Sequence, residues 1–313
     1  MTASPAVGYA AASPPDAVAA RMLSSTRKRW YNPDTDIDWG QDLLPGLYFM
    51  PPEHVSLFGT PLWAQMSEQQ RIDLSRHEVS SIAQCGIWLE LILNGLLLHE
   101  AYKRDPRSSQ FQYALTEIAD ECRHSIMFAD LADKLETPRY GPGRFAQLVG
   151  MTVPRHIPAA EAYASMLVSE EILDSGQRHL MRDERVQPFV REVCALHVAE
   201  ESRHIGYARA ELAKLAAGMG RMRRDSVLGY LTGTGIFTIR TMINPAVYPA
   251  VGLDRGQALR AVRHSKHRRS MYKVWTERFS PYLQEIGLFD GPWGAAWRRA
   301  GLTPEAKVVR LPA

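Results

Sequence analysis

Cysteine is scarce in this chain of 313 residues: Cys85, Cys122 and Cys194 stand singly, and no C-x-x-C pair occurs. An odd, sparse set leaves no disulfide framework and reads as reduced thiols in a cytoplasm. Long apolar runs are also missing. The longest, "GIWLELILNGLLL" and "VLGYLTGTGIFTI", each span 13 residues, short of the roughly 20 that a bilayer requires. The first of them contains Glu90 and Asn94. No membrane partner is therefore expected. An excess of charge is absent too, since a net charge of +3 is too small to argue for nucleic acid by itself. The N-terminus lacks the basic region of an export signal, and prolines interrupt its small apolar stretch. Residues 1–27 are expected to be a disordered lead. What remains is an ordinary globular composition, 45% hydrophobic and 23% charged, on a chain long enough for a large core.

Proline and glycine punctuate "WYNPDTDIDWGQDLLPGLYFMPPEH", so irregular structure is expected to wrap over the body there. Thr60-Pro61 reads as an N-cap with proline in the first helical position, and Ser67 to Gln70 as a capping box. Four long helices are then predicted, over about 67–102, 109–135, 158–182 and 188–217. A further helix is expected over 226–243 and one basic helix over 255–284. No strand-like alternation intervenes. The pattern predicts an all-α helical bundle with additional helices, one domain over 28–301 with its core at 67–217, and a loose tail over 302–313.

The informative feature is a quasi-repeat. Glu90 lies 31 residues before Glu121, and Glu170 lies 31 before Glu201. Glu121 and Glu201 each begin a Glu-x-x-His pair, with His124 and His204. Thirty-one residues is about a helix, a turn and the return to the same height. Each half thus places a lone Glu beside a Glu-x-x-His pair on an antiparallel helix pair. Two halves face to face supply four carboxylates and two imidazoles, the dinuclear set of a ferritin-like bundle. Carboxylates can bridge two metal ions, and histidine adds a neutral nitrogen donor that suits iron. A single Glu-x-x-His pair arises easily by chance. Glu90 does not, because an ionised carboxylate in so apolar a run needs a partner, a proton or a metal. Glu170 has a similar setting, although the adjacent Glu171 competes for the role.

His197 shares a helical face with Glu201 and His204 and is read as a seventh ligand. Glu117 occupies the matching place in the first half and is read as surface or supporting. Asp120 and Glu200 each lie four residues before a histidine, where they can orient the imidazoles or act as solvated helix charges.

The set Glu90, Glu121, His124, Glu170, His197, Glu201 and His204 resembles that of the non-haem di-iron N-oxygenases typified by the para-aminobenzoate N-oxygenase of aureothin biosynthesis. The third histidine separates that family from ferritins and ribonucleotide reductase small subunits. The resemblance covers roughly residues 67–214. It implies a cytoplasmic homodimer, two iron ions, O2 as co-substrate, an external electron donor such as a reductase, and oxidation of an aromatic amine through hydroxylamine towards nitro. A C–H hydroxylase or desaturase acting on a carrier-tethered substrate is the alternative, and an iron-storage or peroxide-handling protein a more distant one.

Seven Lys or Arg fall between Arg255 and Lys273. They read as a solvated helix face or as a dock for an acidic carrier protein or reductase. Tyr163, Tyr207 and Phe128 fall at helical spacings from the ligand positions, as core or as pocket lining.

Overall fold

The computed structural model describes residues 15–152, 156–289, 292–299 and 302. The described residues form helices with no strand; a single isolated bridge joins Tyr48 to Val186. In chain order the helices are α1 (Pro15–Lys28), α2 (Pro33–Asp36), α3 (Pro61–Gln65), α4 (Glu68–Ala101), α5 (Ser109–Lys134), α6 (Arg144–Thr152), α7 (Ala159–Leu180), α8 (Pro188–Ala217), α9 (Arg221–Thr241), α10 (Val247–Ala250), α11 (Arg255–His264), α12 (Lys266–Trp275), α13 (Phe279–Glu285) and α14 (Pro292–Arg299).

Helices α4, α5, α7 and α8 are the four long ones, and each lies within two residues of its predicted bounds. Local chemistry places their starts. Ser67 and Gln70 form the reciprocal capping box of α4, and Ser108 Oγ accepts from the Phe111 N–H at the start of α5. Pro188 opens α8, where its missing N–H costs nothing. Helix α4 packs on α5 and α7 on α8, and the two pairs meet through α5 with α8 and α4 with α7. Helix α9 lies against α7, and α12 and α14 close over that side.

Helix α4 is long and apolar enough to cross a membrane by length and composition, although half of its most apolar window is buried in the bundle. Its Glu78 and Glu90 are buried as well. These are the marks of a core helix, because carboxylates turned toward lipid would lack partners.

Three expectations require correction. The expected loose lead contains α1, which packs against α5 and α8. Pro15 begins that helix, and Val18, Ala19, Met22 and Leu23 share its inward face. Residues 1–14 lie outside the described set. The predicted single basic helix over 255–284 is three helices. Ser265 adopts an extended backbone, ends α11, and caps α12 by accepting from the Arg268 N–H. Arg268 is buried, 4.4 Å from the centre of the Trp275 ring, so one of the seven cations belongs to the core. The expected loose tail begins with a tied residue. The Leu302 carbonyl accepts from Thr276, Ser280 and Trp297, and its side chain is buried. Beyond it, 303–313 lie outside the described residues.

Candidate metal centre

All seven predicted ligands are buried, with Glu170 the most exposed at 4%. Glu90 comes from α4, Glu121 and His124 from α5, Glu170 from α7, and His197, Glu201 and His204 from α8. Donor atoms of Glu121, His124, Glu201 and His204 lie within 4.8 Å of one another, and those of Glu90, His124 and His197 form a second such group. The two groups share His124. Glu170 joins neither group. Burial and the charges of Glu201, Glu90 and Glu121 nonetheless raise the pKa of its carboxyl well above the usual carboxylate range, which places it beside the cluster. Glu171 turns elsewhere and pairs with Arg209. The structure therefore selects Glu170 over its neighbour.

Orphaned atoms converge on one spot. Both carboxylate oxygens of Glu90, Glu170 Oε2, Glu201 Oε2 and His197 Nε2 are buried without a hydrogen-bond partner. Such atoms are costly unless something meets them. His197 Nδ1 donates to Gln177 Oε1 at 2.7 Å, which leaves Nε2 bare, 3.6 Å from Glu90 Oε1 and 3.5 Å from Glu201 Oε1. Burial, aided by nearby His124, pushes the His197 pKa down to about 3, so its ring is neutral.

The other two imidazoles face the carboxylates through Nδ1. His124 Nδ1 lies 2.9 Å from Glu121 Oε2 and 3.3 Å from Glu201 Oε1. His204 Nδ1 lies 2.8 Å from Glu121 Oε1 and 3.2 Å from Glu201 Oε1. Burial opposes charge on both rings, but the carboxylates outweigh it and raise both pKa values well above the usual histidine range. Burial, then Glu121, raises Glu90. The protein alone thus gathers protons where carboxylates crowd. Cations there would displace them.

Asp120 and Glu200 do orient the histidines, but crosswise rather than along their own helices. His124 Nε2 donates to Glu200 of α8 at 3.0 Å, and His204 Nε2 donates to Asp120 of α5 at 3.2 Å. Two arginines that ligand spacing does not single out complete this layer. Arg123 pairs with Asp120 and reaches Glu200 at 3.6 Å; Arg203 pairs with Glu200 at 3.2 Å and reaches Asp120 at 3.6 Å. The signal was present, since "DECRH" and "EESRH" both place Arg directly before the histidine. Glu117 is buried rather than surface-exposed, with Oε2 unpartnered.

Tyr163 and Tyr207 are core residues whose rings lie 6.3 Å apart, and Phe128 packs 4.8 Å from the His197 ring. A cavity of about 380 Å³ opens beside the cluster, between α4, α7 and α9, and Glu170 lines it.

Solved structures of R2-like ligand-binding oxidases share the fold. One with an aerobically reconstituted Mn/Fe cofactor matches with a TM-score of 0.51 at 14% identity, over 88% of this chain and 93% of that one. A variant with an anaerobically reconstituted Mn/Fe cofactor also gives 0.51, at 13% identity over 88% and 94%. Uncharacterised proteins of Mycobacterium tuberculosis and Mycobacterium bovis are 27% identical over 238 residues, covering 74% of this chain and 68% of theirs. A family model described as P-aminobenzoate N-oxygenase AurF matches residues 13–287, and with that span the chain belongs to this family of oxygenases.

Proposed function

We propose that this protein is a di-iron N-oxygenase that uses O2 and an external electron donor to carry an aromatic amine through hydroxylamine towards nitro. The observation that carries the reading is His197, a fully buried neutral imidazole whose bare Nε2 faces Glu90 and Glu201. Glu90, Glu121, His124, Glu170, His197, Glu201 and His204 would hold the two metals. Four carboxylates balance two divalent cations in charge, and three neutral imidazoles fill further positions without upsetting that balance. Bound there, two iron ions would supply the O2 activation that side chains cannot.

The chain's own part is to position and to exclude water. Glu200 and Asp120 hold the Nε2–H of His124 and His204, which turns each Nδ1 toward the metals. Gln177 does the same for His197 through the opposite nitrogen. The apolar cavity at Glu170 keeps substrate next to the cluster and dry. Such a cavity supports an enzyme rather than an iron store. As implied by the family, we place the protein in the cytoplasm as a homodimer, served by a reductase, with the basic segment 255–273 as the surface for that acidic partner or for a carrier protein.

The test is a single turnover of reduced, iron-loaded protein with isotopically labelled O2 and a panel of arylamines. Label on nitrogen is expected. Label only on carbon would establish the C–H hydroxylase alternative instead.

A further inference from the structure

The cavity beside Glu170 has a chemistry of its own. Trp88 and Ile92 of α4 and Phe237 of α9 form its walls, and the Trp88 and Phe237 rings lie 6.1 Å apart. At its inner end Ser169 and Thr238 meet through their hydroxyls at 3.3 Å, next to Glu170. Apart from Glu170, none of the described residues lining it carries a charge. Its volume of about 380 Å³ is more than twice the ~150 Å³ of an apolar cavity that accommodates benzene.

Gly233 marks the exposed side of this space. It sits inside α9, where glycine weakens a helix. It lines the cavity, and a Cβ built on it meets nothing within 4 Å. Gly229 and Gly150, which also line the cavity, are different. A Cβ on either would strike a tryptophan, Trp293 at 2.9 Å or Trp88 at 2.7 Å. Packing explains those two glycines, whereas Gly233 lies at the exposed side of the cavity, where a side chain would meet open space.

We propose that this cavity takes an uncharged arylamine whose apolar body exceeds one aromatic ring, with its nitrogen at Glu170 and Ser169 and its body between Trp88, Ile92 and Phe237. The inference rests on the N-oxygenase reading for the identity of the reacting group and on the cavity for everything else. p-Aminobenzoate, the compound in the family's name, carries an ionised carboxylate at neutral pH. In this cavity that carboxylate would meet hydroxyls and hydrocarbon but no cation among the described residues, and burying it unpaired is costly. An ester or a second ring removes that cost and fills the volume.

The test is a competition on the full-length protein, before and after iron loading. N-phenyl-1-naphthylamine is a neutral arylamine whose fluorescence rises in apolar surroundings, and it serves as the probe. 4-Aminobenzoate and its hexyl ester compete for the site. The ester is expected to displace the probe at concentrations at least about ten-fold below the acid, with or without iron. Ile92→Trp, which adds bulk at a wall of the cavity, is expected to weaken probe binding at least about ten-fold with unchanged helical circular dichroism. The ester-to-acid comparison stands on the unmodified protein even if that variant fails to fold. Equal or tighter binding of the acid, or probe binding that survives a folded Ile92→Trp, overturns the proposal. The two readings fail separately. A neutral amine that binds as expected but takes label on carbon overturns N-oxygenation and keeps the cavity's preference, whereas label on the nitrogen of a preferred acid does the reverse.

Discussion

His124, on α5, donates through Nε2 to Glu200, on α8, at 3.0 Å, and the mirrored contact joins His204 to Asp120 at 3.2 Å. Each half of the bundle therefore orients the imidazole of the other. The Nδ1 atoms that face the carboxylates are set only once α5 and α8 have docked, so the geometry of the cluster is tied to tertiary packing.

This crossing yields the first prediction. Glu200→Gln and Asp120→Asn leave the proposed ligands in place but weaken the grip on their partners' rings. Each is expected to lower iron affinity by about 10- to 100-fold. A titration against a competing chelator measures it. Affinity equal to that of the unmodified protein would show that the crossed contacts are incidental.

His197→Ala removes the bare nitrogen and leaves Gln177 without its donor. The variant is expected to lose about half of its bound iron and all turnover, with helical circular dichroism largely intact. Metal analysis of reconstituted protein decides the point. Two irons per chain and normal activity would return His197 to a packing role.

Metal-free protein must bury unpaired carboxylates and protonated rings at the centre. Iron that binds the folded state alone stabilises it by about 2.7 kcal/mol when free metal is 100 times its Kd. A higher Tm is expected with iron than without, and a chelator should reverse the gain. Identical melting curves would mean that no site is formed.

Glu78 predicts a pH effect away from the centre. It is fully buried, takes the Ser56 N–H at 2.9 Å and the Ser56 hydroxyl, and burial raises its pKa to about 7. The folded state then binds this proton more tightly than the unfolded state. The contribution of Glu78 is therefore greatest below its ordinary pKa and is lost as pH rises through about 7. Glu78→Gln cannot titrate. Its stability relative to the unmodified protein is expected to rise by up to about 3 kcal/mol between pH 4 and pH 8, because a tenfold difference in proton affinity between the two states is worth about 1.4 kcal/mol. Denaturant unfolding across that range would show it, and parallel pH profiles would contradict it.

Much of the fold was legible in local pattern. The capping box at Ser67, the turn-forming breaks between helices and the 3.6-residue period delimit the long helices, because all act within a turn or two of the chain. The two Glu-x-x-His pairs and their upstream glutamates were legible for the same reason, since spacing on a helix determines which residues share a face. Tertiary structure alone decided the rest. The 31-residue spacing favours Glu170 over its neighbour Glu171, and docking of α8, which brings Arg209 to Glu171, is what separates their surroundings. Asp120 and Glu200 are each four residues from a histidine on their own helix, yet the approach of α5 to α8 hands each to the opposite one. The cavity exists because α9 lays Gly233 and Phe237 against the space between α4 and α7. Local chemistry specifies which atoms can act; the relative placement of helices distant in sequence specifies which of them meet.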